Sequence, residues 1–392
     1  MPWKVSGAVD QRMRFVKDHG TGLFSMSELC ARYETSRQTG YKWLERYHAG
    51  GVQSLQDQSR APKRSPQRMD PAIEALLIEA RQAHPTWGPR KIVPWLKKKF
   101  PRLGQSYPAA STIGDLFHRH GLVAPRRRRQ PRSHPIAGAL SAGAPNDVWA
   151  ADYKGEFRLS SGPYCYPFTL SDAYSRYLLS CRAEASTSLL GTKAALTEAF
   201  RRYGLPWAIR TDNGTPFVGH GLSGLSQLGV WWIKLGIVHQ RIARGRPDQN
   251  GRHERMHRTL KAEATRPPES SNETQQGRFD AFEHEFNHER PHESLDQETP
   301  ASRYVRSFRD YPERIAPPEY PAHYELRKVD AGGNFKFRGR SLFIAQPLAE
   351  ECLGLIEVDE DLWSIQFYDH ELGRFNPRTG NFVIKVSTMS PV

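Results

Sequence analysis

Apolar side chains recur at helical spacing through residues 10–48, where Met13, Phe15 and Val16, then Leu29 and Cys30, then Tyr41, Trp43, Leu44 and Tyr47 predict three short helices. Residues 49–69 lose that period and are rich in Gly, Ser, Pro, Gln and Arg, the composition of a connector. A second helical stripe follows in Ile73, Leu76, Leu77 and Ala80, with Asp70 as its N-cap and Pro71 at its first position. The segment WGPRKIVPWL from Trp87 and a helix from about Ala109 to His120 complete a second unit in the same order. From Val148 the pattern changes to strands: VWAADYKGEF is one, and residues 166–183 give two more joined by a turn. A helix over 189–203, a strand over 207–210, a helix from about Leu222 to Leu235 and a strand over 237–240 come next. Antiparallel strands followed by alternating helices and strands predict a mixed α/β domain whose ligands gather at strand ends. Phe279, Phe282 and Phe286 mark an amphipathic helix over 278–288, and Pro300 to Tyr324 reads as a linker with some helix. Short strands at 334–338, 341–345, 353–358 and 362–367, with a last one starting at Gly373, predict a small SH3-like β-barrel.

Within the first unit, SMSELCARYETSRQTGYKWL from Ser25 resembles a helix-turn-helix: Ser25 or Ser27 caps one helix, Glu34-Thr35-Ser36 turns, and Arg37 opens the next. Arg37, Gln38, Thr39 and Lys42 then face DNA, since a recognition helix presents its first residues to base edges and phosphates. Ser111 and Thr112 hold the corresponding place in the second unit. An ordinary three-helix bundle with a solvated basic face shows the same pattern, but two such units in succession favour a bipartite DNA reader. Charge points the same way. The formal net charge is +14, and residues 1–150 hold 25 basic against 11 acidic residues, whereas residues 151–392 hold 31 of each. A phosphate-binding amino-terminal half and a later half with another task are expected. Arg126, Arg127, Arg128 and Arg129, between the second unit and the next domain, are candidates for phosphate or minor-groove contact. Four scattered cysteines without a C-x-x-C pair indicate neither a disulfide framework nor a cysteine zinc cluster. With no signal-peptide pattern and no apolar run of membrane length, the expectation is a soluble cytoplasmic protein, associated with the nucleoid when bound to DNA.

The stretch from Arg241 to Lys261, RIARGRPDQNGRHERMHRTLK, supports two chemistries. In one, Glu254 joins Asp152, which lies in the first core strand, and Asp212, which follows a later strand. Two magnesium ions at close range can activate a water or 3′-hydroxyl for in-line attack on a phosphodiester, and carboxylate oxygens suit that metal. In the other, His253-Glu254-Arg255-Met256-His257 is H-E-x-x-H, a zinc-binding helix with the glutamate as base. Arg252, Arg255 and Arg258 interrupt that segment, and Leu260 and Glu263 stand where the longer zinc motif has Gly and His. A helix starting near Asp248 places Asn250, His257, Arg258 and Lys261 on roughly the face of Glu254, where they line a DNA-facing surface. Singly, each acid is also explained as a strand-edge charge, a turn former or a solvated helix residue.

Trp149-Ala-Ala-Asp152-Tyr-Lys-Gly, Thr211-Asp212-Asn-Gly-Thr-Pro-Phe and Gly245-Arg-Pro-Asp-Gln-Asn-Gly-Arg-His-Glu254 together resemble the three acidic motifs of bacterial insertion-sequence transposases of the DDE type, with a retroviral-integrase-like core. The likeness continues through Asn287-His-Glu-Arg-Pro-His-Glu-Ser-Leu and Thr299-Pro-Ala. It implies a multidomain α+β protein: helix-turn-helix domains at 1–60 and 61–130, a linker at 131–145, a ribonuclease-H-like core at 146–300, a linker at 301–323 and a carboxy-terminal β-barrel at 324–392. It also implies Asp152, Asp212 and Glu254 as catalytic metal ligands, with Asp152 bridging two Mg2+ or Mn2+ ions. The partners implied are double-stranded DNA, both transposon ends and target, and further copies of the chain. The interval of 41 residues between Asp212 and Glu254 departs from the type, and Gly219 to Ser226 is the expected surface insertion that absorbs it. Two other readings are a catalytically lapsed, transposase-derived DNA-binding protein and, more remotely, a zinc metallopeptidase acting through His253, Glu254 and His257.

Overall fold

Ser25 and Glu28 set the first boundary of the amino-terminal fold. The Ser25 hydroxyl accepts the Glu28 N–H (3.4 Å) while the Glu28 carboxylate accepts the Ser25 N–H (2.8 Å), a reciprocal cap that starts helix α2 (Met26–Arg32). In the computed structural model, which describes residues 7–58, 69–101, 107–123, 142–219, 224–242 and 251–384, α2 lies between α1 (Ala8–Gly20) and α3 (Arg37–Gly50). Phe15, Val16, Leu29, Cys30, Leu44 and Leu55 form their buried core. Gly40 of α3 is the close crossing point, since a Cβ there would stand 2.8 Å from the Phe15 ring. The chain divides into two compact units between Met69 and Asp70.

The second unit opens with α4 (Pro71–Ala83), α5 (Pro89–Lys99) and α6 (Ala110–Arg119). Asp70 accepts the Ala72 N–H and Pro71 takes the first helical position, as its spacing predicts. Trp87 is fully buried and stacks on His84 at 4.0 Å. This trio of helices is tied to the α/β core: His84 Nδ1 lies 3.1 Å from Glu285, and the Arg290 guanidinium sits 5.7 Å from the Trp87 ring centre.

The core sheet contains β1 (Val148–Tyr153), β2 (Phe157–Arg158), β3 (Tyr164–Asp172), β4 (Leu178–Glu184), β5 (Ala208–Thr211) and β6 (Val238–Arg241). Its order is β2-β3-β1-β5-β6, with β4 also paired to β3; β1, β3 and β4 are antiparallel neighbours, whereas β1, β5 and β6 run parallel. Strand alternation sends Trp149, Ala151, Phe168, Leu170 and Ile209 to one face, where α7 (Leu189–Tyr203) and α8 (Gln227–Lys234) cover them. The opposite face packs Cys165, Leu178 and Cys181 against α9 (Gly251–Glu263) and α10 (Asn272–His284) through Met256, Leu260, Phe279 and Phe282. A mixed sheet with helices on both faces is the predicted core class.

Three elements differ from their sequence expectation. Helix α8 starts at Gln227 because the Ser226 hydroxyl caps it, accepting the Gly229 N–H at 3.0 Å. Helix α10 begins six residues before the predicted start at Arg278, where Ser271 accepts the Thr274 N–H; its polar first turns carry no apolar stripe to reveal it. The segment beyond Ser302 is an extended strap without helix, fixed by side chains that satisfy core carbonyls: Ser307 donates to Leu205, and Arg309 donates to Leu235 and Gly236.

At the carboxy-terminal end, β7 (Glu325–Lys328), β10 (Cys352–Asp359), β11 (Leu362–Phe367), β12 (His370–Phe375) and β13 (Phe382–Ile384) form a sheet of order β13-β12-β11-β10-β7. The hairpin β8 (Asn334–Phe337) and β9 (Arg340–Phe343) is separate from that hydrogen-bonded sheet. Among the described residues the strands do not close into the expected barrel; sheet and hairpin instead share one core containing Phe335, Phe337, Leu353, Leu355, Ile365 and Phe375. Val230 and Ile233 of α8 join it, and Lys234 pairs with Glu351 at 2.7 Å, so this end packs on the α/β core.

Candidate active site

The parallel pairing of β1 with β5 sets two carboxylates side by side. Ala150 is in register with Arg210, so Asp152 and Asp212, each two residues further along, emerge at the same strand ends and on the same face. That face is the one covered by α9. Asp152 lies opposite Thr169 of β3, and the Thr169 hydroxyl lies 3.1 Å from the Asp152 carbonyl, 2.8 Å from His253 Nε2 and 2.7 Å from His257 Nε2. Ser171, two residues along on the same side, holds His253 Nδ1 at 2.9 Å. Helix α9 is thus seated on β3 by hydroxyl contacts on either side of Glu254 in sequence.

The Asp152 carboxyl senses the other two acids. Asp152 is raised to about 7, first by burial, then by the Asp212 charge and, more weakly, by Glu254. Asp212 is half-buried and accepts the Gly214 N–H at 3.0 Å, while Glu254 is exposed. Lys154 is lowered by burial and by the nearby Lys261 charge, with Asp152 opposing, which places Lys154 near both. Arg258 is exposed on α9. Burial and the charges of Arg252 and Arg255 lower Arg176 to about 10, a concentration of guanidinium groups around the start of α9.

His257 requires a correction. It does not share the exposed surface of Glu254, Arg258 and Lys261; with His253, Met256 and Leu260 it forms the buried stripe of α9. Residues 253, 256, 257 and 260 follow the i, i+3, i+4, i+7 spacing of a core-facing helix, the signal that could have shown it. The two histidines also acquire a third potential ligand: Asp152, His253 and His257 offer ligand atoms that all lie within 4.8 Å of one another. Thr169 and Ser171 escaped sequence reading, because a strand hydroxyl carries no sign of the helix that reaches it.

Among the DNA-facing candidates, Arg37, Gln38 and Lys42 are exposed on α3, but Arg37 also donates to the Ser27 hydroxyl at 2.6 Å. Thr39 is turned back to the cap, its hydroxyl 2.9 Å from that of Ser36. Ser111 and Thr112 are exposed on the first turn of α6. Arg126, Arg127, Arg128, Arg129 and Asn250 lie outside the described residues, as does part of the expected insertion after Gly219.

Two integrase core domain models match residues 142–247 and 235–300, a helix-turn-helix domain matches 11–63, and a homeodomain-like domain matches 39–117. The chain is therefore an integrase-core protein with helix-turn-helix DNA-binding domains. Its relatives include the 39.2 kDa protein of insertion element IS476 from Xanthomonas euvesicatoria, 25% identical over 65% of this chain and 70% of that protein. A 31.7 kDa protein of insertion element IS407 from Burkholderia multivorans is 27% identical over 47% of this chain and 65% of its own length. The Gag-Pol polyprotein of avian reticuloendotheliosis virus is 32% identical over 33% of this chain, which spans 11% of that polyprotein. These matches support a bacterial insertion-sequence transposase of the DDE type.

Proposed function

We propose that this chain binds the terminal inverted repeats of its insertion sequence through its two helix-turn-helix modules, cleaves there and joins the freed 3′ ends to target DNA. Asp152, Asp212 and Glu254 are its catalytic and metal-binding groups. The observation that supports this reading most is that Asp152 and Asp212 follow paired positions of β1 and β5 on the sheet face packed by α9, the helix that carries Glu254. Carboxylate oxygens suit Mg2+ or Mn2+, and Asp152, Asp212 and Glu254 would hold two such ions. Such ions, when bound, supply activation of a water or 3′-hydroxyl and charge neutralisation at the phosphodiester. The protein's part is positional. Thr169 fixes the α9 residues flanking Glu254, while Lys154, Arg258 and Lys261 hold phosphate oxygens beside the acids.

The same reading assigns Arg37, Gln38, Lys42, Ser111 and Thr112 to end recognition, Arg126–Arg129 and Asn250 to DNA contact, and Thr39 to the cap of the recognition helix. Boundaries near 60, 130, 145, 300 and 323 separate the modules, the core and the carboxy-terminal region. Two transposon ends joined in one event call for more than one copy of the chain.

Strand transfer of pre-cut ends tests the proposal with Asp152→Asn, Asp212→Asn and Glu254→Gln. Each variant is expected to bind ends normally and to lose joining by roughly a hundredfold or more. Joining at the parent rate by any of the three rejects the assignment, and end binding without joining by the parent protein identifies a lapsed enzyme.

A further inference from the structure

The two imidazoles of α9 are not absorbed by the carboxylate chemistry, yet they border it. His257 Nδ1 lies 3.9 Å from Asp152 Oδ2, wider than the roughly 3.3 Å that two bonds of about 2.0 Å span at a tetrahedral angle, so a small side-chain shift closes the pair on one ion. His253 brings the third ligand atom, and all three lie within 4.8 Å of one another. The outer nitrogens are already oriented. His257 Nε2–H can donate to Thr169 Oγ1 (2.7 Å), leaving the Nδ1 lone pair toward Asp152, and His253 Nδ1–H can donate to Ser171 Oγ (2.9 Å), leaving the Nε2 lone pair on Thr169 Oγ1 (2.8 Å). A ligand histidine whose far N–H is held by a hydrogen bond is the usual support of a metal site. A metal on His253 Nε2 displaces Thr169 Oγ1 from its 2.8 Å contact with that nitrogen, and the Thr169 proton keeps the Asp152 carbonyl at 3.1 Å as an acceptor.

We propose that Asp152, His253 and His257 form a second cation site, selective for zinc and similar transition metals, whose occupancy withdraws Asp152 from the set it forms with Asp212 and Glu254. Imidazole nitrogen suits zinc, copper or nickel, whereas Mg2+ keeps to oxygen ligands. The nearby acids offset the charge of a buried dication. The site is reached through Asp152, whose side chain retains 18% exposure. Its consequence is an inhibitory metal: zinc bound there competes with the activating cation for one shared carboxylate. This inhibition rests on the proposed function; the binding does not.

Zinc titration of the full-length protein by calorimetry, with X-ray absorption of the zinc-loaded protein, tests it. The expected result is one tight zinc per chain with imidazole ligands at about 2.0 Å. The Asp212→Asn/Glu254→Gln double variant keeps that zinc while losing Mn2+. His257→Gln weakens zinc by more than about tenfold and changes Mn2+ affinity much less. Zinc ringed only by oxygen, or lost together with Mn2+ in the double variant, overturns the site, and the absorption spectrum decides this without any histidine variant. Strand transfer is expected to stop when zinc fills the site in the presence of Mg2+. A protein that binds zinc through imidazole but joins no DNA overturns the functional reading and leaves the site standing.

Discussion

Thr169 carries more of the site's geometry than its size suggests, because one hydroxyl meets the Asp152 backbone and both α9 histidines. Thr169→Val leaves these buried groups without their partner and is expected to lower stability by about 1–3 kcal/mol in denaturant unfolding. Strand transfer should fall as well, with Thr169→Ser restoring both. Glu283 of α10 offers a separate test in pH. Burial raises it from 4.5 to about 7, with Asp280 adding to burial and Arg202 and the Cys181 N–H opposing. The folded state then holds a proton that the unfolded chain releases, so this residue's contribution to stability is full below pH 4.5 and is lost as pH rises through about 7. Glu283→Gln should remove that slope, at most about 1.4 kcal/mol per pH unit, from unfolding measured between those limits.

Among the elements, those with both a cap and an apolar stripe were legible in the sequence. Helix α7 is an example: Ser188 accepts the Gly191 N–H at its start, Leu196, Ala199 and Phe200 give the stripe, and Gly204 turns with φ 77° at its end. Asp152 and Asp212 were equally legible, as acids in and just after predicted strands. Strand β7 was not, because Glu325-Leu-Arg-Lys carries no apolar run and becomes a strand only by pairing with β10 at a charged sheet edge. The inward turn of His253 and His257 shows only in their spacing with Met256 and Leu260, since a buried histidine is written with the same letter as a solvated one. Helix packing in the first module is tested by Gly40→Val, whose side chain meets Phe15, Cys30 and Met26. A loss of about 1–3 kcal/mol in that unit's unfolding is expected.

At the scale of the whole molecule, the basic surplus is confined to residues 1–150 while the core and the carboxy-terminal region are charge-balanced. DNA affinity of the full chain should therefore fall steeply with salt. Replacing Arg126–Arg129 with alanine is expected to reduce the slope of log affinity against log salt by about 0.9 for each phosphate that is no longer neutralised. The core must then turn binding into chemistry, and the account depends on three acids from distant segments acting as one site. Mn2+ binding to the full-length protein measures this most directly, titrated for the parent and for Asp152→Asn, Asp212→Asn and Glu254→Gln. Weakened Mn2+ binding in all three variants, most severe at Asp152, is the expected result; parent-like Mn2+ affinity and stoichiometry in the Glu254→Gln protein would contradict it.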